Sequence, residues 1–250
     1  MPPRSGVVCA FAFFLGQGPI WSQAPDGEAE ARALYKKLEE SFRSAKTLHL
    51  RSTAHFRTTD FEADVAASLW IKEGNRMRLE IEIRGTKDHK PYAHRTRILS
   101  DGTRVRTRDD EEAWAEYATS PRWNEIVLAD VLRGGFPTGL ELIRITSKRG
   151  GPGSDVGIGF LPVPEPTRFA RWKPEDLNGR STNPIEFQLS STSEFMRDCS
   201  VLLWLDARTG LPRRRMNVIL TDRTLNVTES YEVVELNGTI DDSRFVPAKD

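Results

Sequence analysis

Four histidines, one cysteine deep in the chain and one glycine-rich run are the residues whose types could carry chemistry. His49 and His55 stand an even number of residues apart in a strand-like segment and share a face. Six residues at about 3.3 Å each put them about 20 Å apart, too far to hold one metal ion. His89 and His94 fall in a polar stretch expected to be a loop. Cys199 opens the apolar run Val201–Asp206, where a thiol is buried and inert rather than nucleophilic. Gly150, Gly151, Gly153, Gly157 and Gly159 do not follow a strand and open a helix, as a phosphate-cradling loop must. Neither Gly-x-Ser-x-Gly nor His-Glu-x-x-His occurs, and the many carboxylates have no spacing that pairs two for acid/base work. The residues therefore assign no catalytic role, no metal and no cofactor, and the expectation is a protein that is not an enzyme.

The elements around these residues are more informative. With 250 residues, 38% hydrophobic and 29% charged, the chain has ample length for a single core. Lys and Arg total 36, as do Asp and Glu, so the charge is balanced. Nucleic acid, which calls for a clustered positive field, is not an expected partner. The first 25 residues carry one charge, Arg4, followed by the apolar Val7–Leu15 and the small-residue end Trp21–Ala24. This is the pattern of a secretory signal peptide over residues 1–24, with cleavage near Ala24. Its removal leaves 35 basic against 36 acidic residues and Cys199 as the one cysteine. No intrachain disulfide is then possible, and stability must come from burial. The expected location is periplasmic or otherwise extracytoplasmic, and the expected state is a monomer.

The stretch Leu69–Ile83 sets the architecture. Leu69 and Ile71 alternate with Trp70 and Lys72, Glu73-Gly74-Asn75 interrupts, and Met77, Leu79, Ile81 and Ile83 alternate with charged residues. Period-2 alternation with a single apolar set predicts a hairpin with one buried face. The same alternation runs through Leu48–Thr58 and Phe61–Ile71, and Arg95–Arg108 turns at Asp101-Gly102, a strong hairpin signal. After a Gly/Pro-rich, irregular insertion at about residues 137–183, strands return at Ile185–Leu189, Val201–Asp206, Arg213–Leu220 and Leu225–Val234. Two amphipathic helices accompany them. One is expected over Asp26–Lys46, with Leu34, Leu38, Phe42 and Ala45 as its stripe and Asp26 as cap. The other runs from Ser120-Pro121 to Arg133, stopped by Gly134-Gly135. The fold class expected is α+β, mainly β: one strongly curved antiparallel sheet, an open half-barrel over residues 25–250, with helices packed in its concave face.

The order of these segments resembles the LolA/LolB-like lipoprotein-carrier family. The likeness is carried by the leading helix, the strand ending LWIKEGN, the return MRLEI, RILSDGTRVRTR around its Asp-Gly turn, the second helix, LWLDARTGLPRR and the closing TIDDSRFVP. It covers least of the insertion. The resemblance implies a half-barrel whose helices lid an apolar cavity, and a non-enzymatic carrier or sensor binding a lipid, an acyl chain or a lipidated protein. One departure matters. In the carriers the segment after the Trp-containing strand commonly reads Lys-Arg-Pro, and that arginine hydrogen-bonds to the helical lid. Here Lys72 is followed by Glu73 and Gly74, and a carboxylate cannot donate those bonds.

On this reading the ligand wall comprises Leu50, Phe56, Leu69, Ile71, Met77, Leu79, Ile81, Trp204, Val218 and Tyr231. Leu203 is as apolar as Trp204 and points the other way, and the pattern does not choose between them. An alternative role is a regulatory interaction module docking an acidic or membrane-protein partner through the basic hairpin Arg95, Arg97, Arg104 and Arg106. A solvated outer face explains the same arginines.

Overall fold

The computed structural model describes residues 27–57, 61–87, 89–110, 112–118, 122–129, 131–133, 135, 165–190, 198–220 and 224–246. Helix α1 spans Glu28–Arg43. Strands β1 (Thr47–Arg57), β2 (Phe61–Lys72), β3 (Arg76–Lys87), β4 (Lys90–Asp101), β5 (Arg104–Asp109) and β6 (Ala115–Ala118) then follow one another. Helix α2 occupies residues 123–129 and 131–133. Strands β7 (Thr167–Arg171), β8 (Glu175–Asp176), β9 (Ser181–Ser190), β10 (Asp198–Asp206), β11 (Pro212–Leu220) and β12 (Thr224–Leu236) complete the sheet, and a 3-10 turn covers Asp242–Phe245.

The strands form one twelve-stranded sheet in the order β6-β5-β4-β3-β2-β1-β12-β11-β10-β9-β7, with β8 on β9. Each half is a meander of neighbouring strands. The halves meet where β1 pairs antiparallel with β12, Leu48 opposite Leu236 and Phe56 opposite Val227. The path does not return on itself, so the sheet is open, with β6 and β7 at its edges. Bulges interrupt the register between Arg51 and Ser52 and between Trp204 and Leu205, and such irregularities increase local twist and bend. The α+β half-barrel expected from the alternation is the architecture present.

Directly opposed residues share a face, so the register lays the inner wall out in rungs. One rung runs Ile98, Leu79, Leu69, Leu50 across β4 to β1. Another runs Ala63, Phe56, Val227, Asn217, Val201, Phe187 across β2, β1, β12, β11, β10 and β9. α1 lies against β7 and β9 and buries Ala31, Tyr35, Leu38 and Phe42. Its stripe is therefore shifted from the expected one: Leu34 is half-buried, and Tyr35 takes the inner position. Asp26, Ser120, Pro121 and Gly134 lie outside the described residues.

Three segment boundaries differ from expectation. The stretch taken for a polar loop at 85–94 is mostly strand, because β3 runs to Lys87 and β4 restarts at Lys90. The stretch expected to be irregular contains β7 and β8, whose pairing with β9 satisfies backbone groups that a loop would leave to solvent. Strand β6 was not anticipated. Its four residues are largely exposed and carry no alternation.

The β10–β11 turn is held by Asp206. Its carboxylate accepts the backbone N–H of Thr209 at 2.9 Å and of Arg208 at 3.1 Å, the Thr209 hydroxyl at 3.0 Å, and the Arg213 guanidinium at 3.0 Å. These bonds, led by the Thr209 N–H, hold its pKa down to about 2. A carboxyl whose folded pKa is depressed contributes stability that is complete above its unfolded value near 4 and is lost as pH falls through the folded value. Asp206→Asn is expected to cost about 1 kcal/mol at pH 7 after solvent screening. It should also flatten the loss of stability between about pH 4 and pH 2. Urea midpoints at pH 7 and pH 3 check this, and a parallel drop at both pH values would refute it.

Candidate functional site

At the centre of the inner wall, where β1, β12 and β11 meet, apolar side chains give way to a group of polar ones. There Ser52, Tyr231, Glu229, Arg215 and Asn217 all face inward and are buried, with Arg215 2% and Glu229 1% exposed. Arg215 and Glu229 stand directly opposite one another across β11 and β12. The Glu229 carboxylate accepts from Ser52 Oγ at 2.8 Å and from Tyr231 Oη at 3.1 Å. Burial, ahead of any charge, pushes the Tyr231 hydroxyl above the ordinary tyrosine range, so it remains a protonated donor.

Arg215 reaches from this node to the lid. Its Nη1 donates to the carbonyl of Val131 at 3.2 Å, and its Nη2 donates to that of Leu132. These are carbonyls in the last turn of α2, which have no partner within a helix and where a cation is electrostatically favoured. Gly135 follows with φ +79°, and a Cβ there would stand 2.6 Å from Glu229 Oε2 and 3.2 Å from Arg215 Nη1. Only glycine lets the backbone lie this close to the pair. At its other end α2 meets the β2–β3 turn, where Asn124 Nδ2 donates to the Lys72 carbonyl at 3.0 Å. Between these ends Trp123, Val127, Leu128, Val131 and Leu132 are buried.

The Lys72-Glu73-Gly74 segment thus supplies a carbonyl to α2 and no arginine. Its cation points to the outer face, where Lys72 Nζ donates to the Ile240 carbonyl at 3.0 Å and to Asp242 at 2.5 Å. Arg76 joins Asp242 at 2.6 Å, and Arg78 donates to the Arg244 carbonyl at 3.1 Å. With Phe245 buried and Arg244 4.6 Å over the Trp70 ring, the C-terminal turn is strapped across the back of the sheet. The arginine that binds lid carbonyls comes instead from β11.

Of the residues expected to line a ligand wall, Leu50, Leu69, Ile71, Met77, Leu79, Ile81 and Tyr231 lie buried on the inner face, and Phe56 lies there half-buried. Phe56 packs against, and the others belong to, one apolar cluster that also contains Tyr35, Leu38 and Phe42 of α1 and Trp123, Val127 and Val131 of α2. Two placements are corrected. Trp204 is on the outer face, opposite Arg214 and Pro184, with the Arg214 guanidinium 5.3 Å over its ring and its Nε1 donating to Glu175. Leu203 takes the inner position. Val218 also faces outward, between Ser200 and Asn226. The cause is the phase of β10 and β11: Arg215 and Asn217 hold the inner positions, so Arg214 and Val218 cannot.

Other chemistry is sparse. Cys199 is buried on the wall, which pushes its thiol up to about 12, so it is protonated and unreactive at neutral pH. Among the described residues no three of His, Cys, Asp and Glu are grouped to hold a metal ion. An open groove of about 480 Å³ crosses the outer face of β12, β1, β2 and β3. Charged pairs stand along it, with His55 Nδ1 2.9 Å from Asp64 and Arg84 paired to Glu82. Of the hairpin arginines, Arg104 and Arg106 are both held by Glu116, and Arg106 also by Asp101 at 3.3 Å. Arg95 and Arg97 lie on the same outer face, Arg97 opposite Glu80 and Arg95 opposite Glu82.

No protein-family model and no curated protein matches this chain. Among solved structures it is similar to LprF from Mycobacterium bovis, at 13% identity and a TM-score of 0.46, over 85% of this chain and 95% of that one. It is also similar to the Mycobacterium tuberculosis lipoprotein LppX, at 9% identity and 0.44, over 86% and 98%. A third is a LolA superfamily protein from Nitrosomonas europaea, at 12% and 0.33, over 87% and 97%. None of these transfers a residue role. The chain's own architecture, an open antiparallel half-barrel with helices in its concave face, is the one that the resemblance to the LolA/LolB-like family implies.

Proposed function

We propose that the protein is an exported, non-enzymatic carrier or sensor that takes an acyl chain, of a lipid or of a lipidated protein, between the inner wall and helices α1 and α2. The observation that supports this reading is how the wall is covered. Apolar rungs run across both halves of the sheet, yet two helices, not a second sheet, close over them. α2 is tied at its end through a buried arginine instead of being wholly embedded in apolar contacts. Charges buried in that way are costly to desolvate, and lifting the lid returns them to water. Hydration of Arg215 and Glu229 on opening offsets part of the apolar surface exposed, which favours a lid that can exchange with a ligand. Each buried methylene contributes about 0.8 kcal/mol, so ten supply about 8 kcal/mol before ordering costs. No polar recognition is needed for binding of that size. The reading of residues 1–24 as a secretory signal supports an activity outside the cytoplasm. The commitment of Arg104 and Arg106 to Glu116 leaves the alternative, a basic docking stripe, little free charge.

Native mass spectrometry of the full protein purified from its own host, together with titration by the neutral dye N-phenyl-1-naphthylamine, tests the proposal. A co-purifying lipid mass and saturable dye binding that is displaced by a long-chain acyl compound are expected. A folded protein that shows neither would overturn it.

A further inference from the structure

The β2–β3 turn is gripped from both faces of the sheet. On the inner side Asn124, at the start of α2, donates from Nδ2 to the Lys72 carbonyl at 3.0 Å and from its backbone N–H to Asn75 Oδ1 at 3.4 Å. On the outer side one carboxylate, that of Asp242, accepts from both cations that flank the turn, Lys72 Nζ at 2.5 Å and Arg76 Nη1 at 2.6 Å. Arg76 Nε donates in turn to the Glu73 carbonyl at 3.0 Å. Lys72 thus gives its carbonyl to the helix and its ammonium to the C-terminal turn. The register makes this arrangement consequential. Lys72 and Arg76 are directly opposed on the last rung of the β2–β3 ladder, and like charges so placed are destabilising unless an anion lies between them. Neighbouring carboxylates are committed elsewhere. Asp241 caps the 3-10 turn by accepting the Ser243 N–H at 2.8 Å, and Asp101, opposite Arg76 in β4, accepts from the Thr103 N–H at 2.9 Å and from Arg106 at 3.3 Å.

We propose that the C-terminal turn is an electrostatic strap that sets, from the outer face, how firmly the start of α2 is seated on the inner one. Asp242 clips Lys72 to Arg76, the clip closes the turn between them, and the closed turn presents the Lys72 carbonyl to Asn124. Without the carboxylate the two cations repel, the last rung frays, and the Lys72 peptide turns away from a bond that depends on alignment. The Asp242 side chain is 66% exposed, while those of Lys72 and Arg76 are 25% and 28% exposed. The anion of the clip is therefore its accessible member, open to competition by salt or by a basic partner. The strap acts on the protein without ligand, so it stands whether or not an acyl chain is what the protein carries.

Backbone hydrogen exchange of the full protein, read by mass spectrometry, tests the strap. Asp242→Asn should speed exchange about fivefold both in the turn at residues 242–246 and in α2 at residues 126–129. Raising salt from about 0.01 M to about 1 M should speed α2 exchange in the wild type and change it little in the variant, because screening removes the same attraction. Asn124→Ala, which cuts only the inner tie, should loosen α2 and leave residues 242–246 at the wild-type rate. Asp206→Asn, which removes the carboxylate of a different turn, should leave α2 unchanged. The strap is overturned if Asp242→Asn loosens the C-terminal turn while α2 keeps its wild-type rate and salt response. It is equally overturned if exchange rises evenly over the whole sheet, or if Asp206→Asn loosens α2 as much, since either marks a global loss of stability. Each of these outcomes leaves the carrier reading standing, because no ligand takes part in the measurement.

Discussion

Replacing Arg215 by Met is expected to lower the free energy of unfolding by about 3–5 kcal/mol, the usual cost of removing one partner of a buried pair of charges. Three losses coincide there. The Glu229 carboxylate, 1% exposed, keeps its donors Ser52 and Tyr231 but loses the cation opposite it. Two carbonyls in the last turn of α2, those of Val131 and Leu132, lose their donors. The apolar replacement restores neither. The measurement is urea denaturation followed by circular dichroism. The double variant Arg215→Met/Glu229→Gln should recover at least half of the loss, because it removes the stranded charge along with its partner. A single-variant loss below about 1 kcal/mol would mean that the node is hydrated in solution and that α2 is held by something else.

Trp123→Ala is the second large effect. Trp123 is 2% exposed near the start of α2, and truncating a buried tryptophan costs about 3–5 kcal/mol. The loss should be concentrated on the lid. α2 is bonded to the sheet at its two ends, through Asn124 to the Lys72 carbonyl and through Arg215 to its last turn, so the apolar contacts between those ends are what seat it. The variant should therefore show more N-phenyl-1-naphthylamine fluorescence than wild type at equal concentration, while the far-ultraviolet strand signal stays. Global loss of that signal would show that α2 belongs to the cooperative core and is not a separable cover.

The alternation of β1, β2 and β3 was legible because each strand has one apolar phase, and Leu50, Leu69 and Leu79 fall on the inner wall as that phase requires. β10 was not legible in the same way. Val201–Leu205 is apolar on both faces, since Trp204 covers the outside under Arg214 and Glu175 while Leu203 faces the core. With no polar phase, the choice between the two residues depends on what lies beyond each face. Arg215 was hidden for a related reason. It ends a run of three arginines that reads as a solvated patch, although the period of β11 turns it inward with Asn217. A signal was available: Glu229 occupies the phase of Val227 and Tyr231 in β12, and Ser52 the phase of Leu50 and Ala54 in β1. Polar residues in an apolar phase of neighbouring strands mark a buried network. Tyr35 was passed over because a tyrosine can sit at either margin of an amphipathic stripe, and only the rings of Phe169 and Phe187 show which side it takes.

The pairing of β1 with β12 also bears on how the molecule assembles. Within each half the strands pair mainly with their neighbours in sequence, at little cost in loop closure. The central seam joins β1 to β12, the first and last of the described strands, so it can form only after the chain has been made through β12. Until then the inward side chains of Ser52 and Glu229, each the other's partner, stand on separate half-sheets with bare edges. Their meeting coincides with completion of the sheet. The polar centre of the wall is therefore also a register mark for the final step of folding, one that a slip of a single residue in β12 would leave unmatched.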